Sequence, residues 1–577
     1  MSMSNTEIRK AAVKYAAHNA SQFDGVAQAG SVIGKVLGEF PELRKRAKEV
    51  VPAINEAVKE VNSWTQMEQL RYVEENHPEL LERSKVEEEA KTLPPLENVE
   101  DWPMVKTRFA PNPDGALHLG SAEPIIFCDE YAKMYQGHFI LRYEDTSAEV
   151  KPPIPEMYDA ILEDLEWLGV KVDEVYRQSD RLPIYYEHAE RLLREGNAYV
   201  CTCEVKAFRK LYMSSEACPC RELPAETQLS RWERMLDGSY EKGEAVVRIK
   251  TDLDDPNPAV RDWPALRISD VEHPLQGDRY RVWPLYNFSC GIDDHLMGVS
   301  HIIRGKEHDV NTTRQRWLQG HMGWRYPEII NVGRLGLEAG ILSKSKMRAG
   351  IEDGTYSGWD DPRLGTLRAL RRRGLQPEAV RAIMIHVGPK PVNVTITWDN
   401  IAAENRQIIE PISDRYFFVE DPVELIVTGV PGRHVAKLPV HPDNPERGTR
   451  DFVLEPKDGE LRFNVSGKDL ERLRVGSVTR LMGVMNVEVK EVGESVKAVY
   501  HSRDYQLARD MDAPFIHWLP AGVGVDAQVV LPDATKASGL AEESVNEMKS
   551  GEMFQFERLG YCRVDKPDPF VAYFTHN

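Results

Sequence analysis

Three groups of residues in this chain have types and spacings that could do chemistry: a histidine at a loop–helix junction, a lysine-bearing turn, and four clustered cysteines. The first lies where Ala110-Pro111-Asn112-Pro113-Asp114-Gly115 leads into His118-Leu119-Gly120-Ser121. Free N–H groups and the dipole at a helix N-terminus attract phosphate. Gly120 has no side chain to obstruct a ligand, and the His118 imidazole can donate a hydrogen bond to a phosphate oxygen. Second, Ile341-Leu342-Ser343-Lys344-Ser345-Lys346 reads as a polar loop. Its ammonium groups could close over a triphosphate and stabilise charge on a departing group. Third, Cys201-x-Cys203 and Cys218-x-Cys220, fourteen residues apart, could enclose one tetrahedral zinc. With four protein ligands no position is left open for catalysis, so such a site is structural. The plainer alternatives are a capped helix with a surface histidine, a solvated lysine loop, and four reduced thiols in a hairpin.

The elements that must position these residues alternate. Residues 104–109 read as a strand, 117–135 as a helix closed by Gln136-Gly137, and 139–143 as a strand again. Further helical stretches are expected near 155–168 and 182–195, so a parallel sheet with right-handed crossovers follows. The cysteine segment interrupts this pattern, which resumes with Trp283-Pro284-Leu285-Tyr286. Residues 355–411 look helical, and Pro377 suits a first helical turn. Beyond 415, short strands at 462–465, 487–489, 497–500 and 554–556 suggest one or two antiparallel barrels. The first 90 residues have helical spacing, as in Ile54, Val58, Val61 and Trp64, and end in a linker at Leu93-Pro94-Pro95-Leu96. The expectation is a multidomain α/β chain divided at 1–97, 98–180, 181–282, 283–350, 351–414 and 415–577.

Bulk properties bound the function. A chain of 577 residues exceeds what one core usually serves. No run of about eighteen apolar residues exists, so a cytoplasmic protein without a membrane partner is expected. The net charge of −19 argues against indiscriminate nucleic-acid coating but allows an RNA gripped by local basic patches. Seven cysteines in so long a chain make no disulfide framework. Cys128, Cys290 and Cys562 read as small buried residues. Arg371-Arg372-Arg373 is the clearest basic cluster, equally readable as a solvated helical face or as a phosphate contact. Tyr416 and Phe417 read as core more readily than as base-stacking residues.

In this order, Ala116-Leu117-His118-Leu119-Gly120 resembles the "HIGH" signature of the class I aminoacyl-tRNA synthetases, and Leu342-Ser343-Lys344-Ser345 resembles their "KMSKS" loop. The segment from Arg108 to Gly115, Gly358-Trp359-Asp360-Asp361-Pro362-Arg363 and Arg371-Arg372-Arg373-Gly374 resemble the glutamyl/glutaminyl branch of that family, over roughly 100–577. The helical appendage is similar to that of archaeal members. Ser121 departs from the pattern, standing where the second histidine is usual, and it cannot become cationic.

The resemblance implies a Rossmann-like parallel-sheet catalytic core, an inserted α/β acceptor-binding domain and C-terminal anticodon-binding barrels. It also implies ATP with Mg²⁺ as substrate, zinc in the cysteine insertion, and tRNA as partner. His118, Gly120, Ser343 and Lys344 are then expected at the ATP phosphates, and Arg108, Glu144, Tyr286 and Arg304 at the amino acid, with Glu144 on its ammonium. Members specific for glutamate carry arginine at the place of Arg304, where glutaminyl members have an uncharged residue. A guanidinium matches a carboxylate bidentately, while facing a neutral amide it would stay uncompensated. Glutamate and tRNA(Glu) are therefore expected, with tRNA(Gln) as a candidate second acceptor. The alternatives are a glutaminyl enzyme, a nucleotidyltransferase of similar fold, and a tRNA-binding protein with an impaired catalytic domain.

Overall fold

The computed structural model describes residues 5–22, 25–40, 43, 47–77, 92–338 and 341–577. The chain divides into two compact units, Met1–Thr92 and Leu93–Asn577. The division falls before the expected linker because Leu93 and Leu96 pack into the main core of the second unit.

Four helices, Asn5–Gln22, Ala29–Glu39, Ala47–Asn62 and Gln66–Asn76, form the described part of the first unit. Residues 78–91 of the expected appendage lie outside the described residues. Ile54, Val58 and Val61 face its core beside Ala12, Ala16 and Val36, with Trp64 packed against them. The last helix begins in a reciprocal cap between Thr65 and Glu68. Gln69, wholly buried, satisfies the carbonyls of Gly25 and Val61, each at 2.9 Å.

In the second unit, strands Lys106–Phe109, His138–Tyr143 and Glu174–Arg177 pair in parallel. Strands His301–Gly305 and Glu328–Val332 make a second parallel pair. The three strands and the pair meet alongside Lys106–Phe109, where Ser300 donates its N–H to the Lys106 carbonyl at 2.9 Å. In chain order the five strands run 3-2-1-4-5. That order reverses between the first and fourth strands, which opens a crevice beyond their carboxyl ends. Helix Leu119–Met134 covers the layer with Ile125, Ile126 and Phe127 buried against it.

Between the third and fourth strands, a four-stranded antiparallel sheet (Ala198–Cys201, Val246–Ile249, Pro264–Ile268, Val282–Pro284) is inserted with its own core around Trp232, Trp263 and Trp283. After the fifth strand come helices Lys344–Glu352, Leu367–Arg372, Pro377–Val387 and Trp398–Ile409. The C-terminal part holds two seven-stranded, mainly antiparallel sheets. The edge strands of one, Asp414–Tyr416 and Phe418–Glu420, are separated only by Phe417. Those of the other, Phe515–Ile516 and Trp518–Pro520, are separated only by His517. When one residue joins the two edges, the sheet must curl back on itself, which gives each its barrel-like form. Phe417 and His517 stack on one another, with ring centroids 4.2 Å apart.

No helix among the described residues is long and apolar enough to cross a membrane.

Candidate active site

The crevice at the strand-order reversal holds a cavity of about 700 Å³, and Arg108, Glu144, Tyr286 and Arg304 all line it. Three of these side chains leave the carboxyl ends of parallel strands. Tyr286 opens helix Tyr286–Leu296, which follows the last strand of the inserted sheet. Residues separated by almost 200 positions therefore converge on one space, as strand order requires.

A buried ionic network underlies the cavity floor. Asp294, fully buried, accepts from Arg142 at 2.7 Å and from Arg108 at 3.3 Å. Arg142, equally buried, also reaches Glu144 at 3.2 Å. Burial works against the Asp294 charge, yet Arg142 and Arg108 outweigh it and hold the carboxyl below its usual range. Glu144 goes the other way: burial raises it, opposed by Arg142 and by a hydrogen bond from the Cys290 thiol at 2.9 Å.

Arg304 differs from both neighbouring arginines. It is buried, and its partners are neutral: Thr312 at 2.6 Å, Tyr326 at 3.0 Å and Gln315 at 3.1 Å. Among the described residues it has no ion-pair partner, and its Nε has no hydrogen-bond partner. Asp294 and Glu144 already balance Arg108 and Arg142, so Arg304 is the one buried cation of the cavity lining without a carboxylate. Such a group is costly unless a ligand supplies the anion. Lys151 and Arg314, exposed and half-buried, also line the cavity without an ion pair among the described residues.

His118 is the N-cap of helix Leu119–Met134 rather than part of its first turn. Ser121 completes the cap by accepting the His118 N–H at 3.4 Å. A Cβ on Gly120 would lie 3.2 Å from the His118 ring, so glycine allows the imidazole to lie across the helix start. Burial, with Lys344 nearby, lowers the imidazole to about 4. His118 is thus neutral at neutral pH, and its Nδ1 is buried without a partner.

The segment expected as a flexible loop at 341–346 is in part helical. Ser343 is an N-cap, and helix Lys344–Glu352 starts at the lysine itself, because Lys-Ser-Lys-Met-Arg-Ala continues as a good helix former. Lys344 reaches the Asn112 carbonyl at 3.2 Å and Asp114 at 3.1 Å, across the loop that precedes His118. Asn112 lines the large cavity, whereas His118, Ser343 and Lys344 stand beside it.

The cysteine cluster lies apart, in the insertion. The four sulfurs lie within 4.8 Å of one another, with Cys201 to Cys218 at 3.8 Å and Cys203 to Cys220 at 3.7 Å. A tetrahedron with zinc–sulfur bonds of about 2.3 Å has edges of about 3.8 Å, so the residues present fit such an ion. All seven cysteines are free of disulfides.

For two of the three clustered arginines, both readings are replaced by a third. Arg372 is held by Asp565 at 2.9 Å and Asp360 at 3.0 Å, and lies over the Tyr573 ring. Arg373 is buried over Trp398 and donates to the Thr575 carbonyl. These two therefore tie the helical segment to the last strands, whose partners nearly 200 residues away were invisible locally. Only Arg371 is exposed. Arg142, Asp294 and Cys290 were missed. Their signal was a lone arginine after the apolar run Phe139-Ile140-Leu141 and the pair Asp293-Asp294 in a helix with no other acidic residue.

The model of the class I (E and Q) tRNA synthetase catalytic domain matches residues 104–411, and those of its anticodon-binding domains match 413–503 and 515–565. The chain belongs to this family, the class I tRNA synthetases for E and Q. A "Glutamate--tRNA ligase" of Pyrococcus furiosus is 52% identical over 99% of this chain and 100% of its own length. One of Pyrococcus abyssi is likewise 52% identical, over 99% and 100%. A crystal structure of a glutamate tRNA ligase from Elizabethkingia meningosepticum, in complex with its amino acid, is 22% identical with a TM-score of 0.40, covering 54% of this chain and 70% of that one.

Proposed function

We propose that this chain is a glutamate–tRNA ligase that activates glutamate with ATP and transfers it to the 3′ end of tRNA(Glu). The single observation that carries the choice of amino acid is Arg304, a buried guanidinium without a carboxylate of its own, in a cavity whose other buried guanidinium, Arg108, is paired with Asp294. A glutamate side chain would supply the missing carboxylate. Glutamine would leave the guanidinium uncompensated, at a cost of roughly 3 kcal/mol or more, about a hundredfold in selectivity.

In this reading the glutamate ammonium meets Glu144, adding a second cation beside Arg142 to offset its burial, while Arg108 and Tyr286 complete the pocket. The α-carboxylate attacks the α-phosphate of ATP, and pyrophosphate leaves with its charge met by Lys344. For that, Lys344 must exchange Asp114 for phosphate. His118 donates to a phosphate oxygen as a neutral imidazole, and Gly120 and Ser343 keep the approach open. Mg²⁺ arrives with the nucleotide. A ribose hydroxyl of the terminal adenosine then attacks the activated carbonyl, the acyl–phosphate bond breaks with release of AMP, and no covalent enzyme intermediate is needed. The work is positioning and charge stabilisation.

Residues 181–282 would grip the acceptor end and 415–577 the anticodon, joined by the helical segment 351–414 between the catalytic halves 98–180 and 283–350. Cys201, Cys203, Cys218 and Cys220 would hold a structural zinc that fixes the insertion. Metal analysis of the purified protein should find one zinc per chain, absent from a Cys218→Ser variant. The cytoplasm is the proposed compartment.

Charging assays with labelled glutamate and, separately, glutamine on tRNA(Glu) and tRNA(Gln) test the proposal. Glutamate on tRNA(Glu) supports it, and glutamate on tRNA(Gln) adds a second acceptor. Glutamine as the preferred amino acid would overturn the argument from Arg304.

A further inference from the structure

A second cavity, of about 410 Å³, opens between helices Leu367–Arg372 and Trp398–Ile409 and the last strand, Phe570–His576. It shares no lining residue with the cavity at the strand-order reversal. Leu370, Leu375, Ile401 and Phe574 give it a mainly apolar wall with a polar rim, and its volume falls in the range of small-molecule sites.

Set into this wall is Arg373, 6% exposed. Its guanidinium carbon lies over the Trp398 ring, 4.5 Å from the centroid, and the Thr575 carbonyl accepts a hydrogen bond from it at 3.2 Å. The Nε is buried without a partner. Among the described residues no carboxylate pairs with it, and the one acidic residue lining the cavity, Asp399, is exposed. The other two lining arginines are occupied: Arg363 binds Asp361 at 2.7 Å, and Arg406 donates to the main-chain oxygen of the last residue, Asn577. Burial lowers Arg373 only to about 10, so it stays cationic at neutral pH. A buried cation held over an indole, facing a mainly apolar space, matches an anion carried on an apolar body.

We propose that this cavity binds a small aryl carboxylate or sulfonate, with Arg373 as its counter-ion and the apolar wall enclosing the ring. Such a ligand would bridge the helical segment and the C-terminal strand, the elements Arg372 and Arg373 already join.

The experiment is a fluorescence titration of the full-length protein with 1-anilinonaphthalene-8-sulfonate, and in parallel with N-phenyl-1-naphthylamine, which has the same rings without the sulfonate. One saturable site per chain is expected, with the anionic probe bound at least about tenfold more tightly than the neutral one. Ala402→Trp, on the half-buried cavity rim, should weaken both probes. Arg373→Met should bring the anionic probe to the affinity of the neutral one. If Arg373→Met does not fold, Ala402→Trp and the comparison of the two probes decide alone. Equal affinity of the two probes for the unmodified protein would overturn the proposal. So would several weak sites, or binding indifferent to Ala402→Trp.

Discussion

Buried charge is handled in two ways in this molecule. At the junction of the two barrel-like sheets, Arg450 lies buried between Glu542 and Glu557, and Arg558 takes both oxygens of Asp469, at 2.5 and 2.8 Å. Around the cavity at the strand-order reversal, Arg108 and Arg142 are likewise balanced by Asp294 and Glu144, but Arg304 is left with neutral partners. A buried cation with internal carboxylates holds elements together. One without them is poised for an external anion, and it costs the unliganded protein stability. The distinction rests on partners rather than on burial, since Arg304 and Arg450 are nearly equally buried.

The largest effect that could break the comparison is expected at the junction. Arg450→Met keeps the stem but strands Glu542 and Glu557, which should cost about 3–5 kcal/mol of stability. Urea denaturation should show that loss, while the KM for glutamate stays unchanged. A shifted KM with intact stability would mean that Arg450 is no mere structural pair.

Arg304→Gln should do the reverse. Loss of the cavity's uncompensated buried charge should lower kcat/KM for glutamate at least about a hundredfold, or ~3 kcal/mol. Stability should hold or rise, because an unpaired buried charge is removed. A large drop in stability without a kinetic effect would place Arg304 in the same class as Arg450. Asp294→Asn should fall between the two, weakening glutamate binding and stability together, because the carboxylate supports two guanidiniums at once. Stability loss alone would detach it from the cavity.

Much of this arrangement was legible in the sequence, though unevenly. The strand, loop and helix before and after His118 follow from local pattern, and the observed bounds Lys106–Phe109 and Leu119–Met134 fall inside the expected stretches. Helix Pro377–Val387 starts at the proline expected to start it. Tyr416 and Phe417 are core, as read. Arg108, Glu144, Tyr286 and Arg304 came from resemblance rather than spacing, because only strand order brings them together. Asp294 and Arg142 share that difficulty. Isolated charges marked them, but nothing local named their partners. Arg372 and Arg373 were misread for the same reason, since Asp565 and Thr575 belong to strands that local pattern could not place beside them. The helical start at Lys344 was hidden by four polar residues that suit a loop and a helix equally.

The smallest expected effect contrasts two histidines, one from each region. His118 is lowered to about 4, by burial and then by Lys344. His517 is lowered to about 3, by burial and then by Arg558 and Arg450. Both fall below the unfolded value of 6.5, so as the pH drops below 6.5 the unfolded chain takes up the proton first. Each histidine therefore contributes stability that is fully present above 6.5 and is lost as the pH falls towards its folded value, with a slope of at most ~1.4 kcal/mol per pH unit. Glu542, raised to about 7 by burial, acts with the opposite sign between 4.5 and 7, its contribution being lost as the pH rises. The difference between the unmodified protein and a variant isolates each histidine from that background. His517→Gln should flatten the fall in the urea midpoint between pH 6.5 and 4 and leave charging intact. His118→Gln should flatten it as well, and should also lower the rate of glutamate activation. If His517→Gln left the slope unchanged, that imidazole would titrate normally in the folded chain, and its stack on Phe417 would not exclude water. If His118→Gln left activation unchanged, a neutral imidazole at the helix start would be only a cap, and the charge on the phosphates would fall to Lys344 alone.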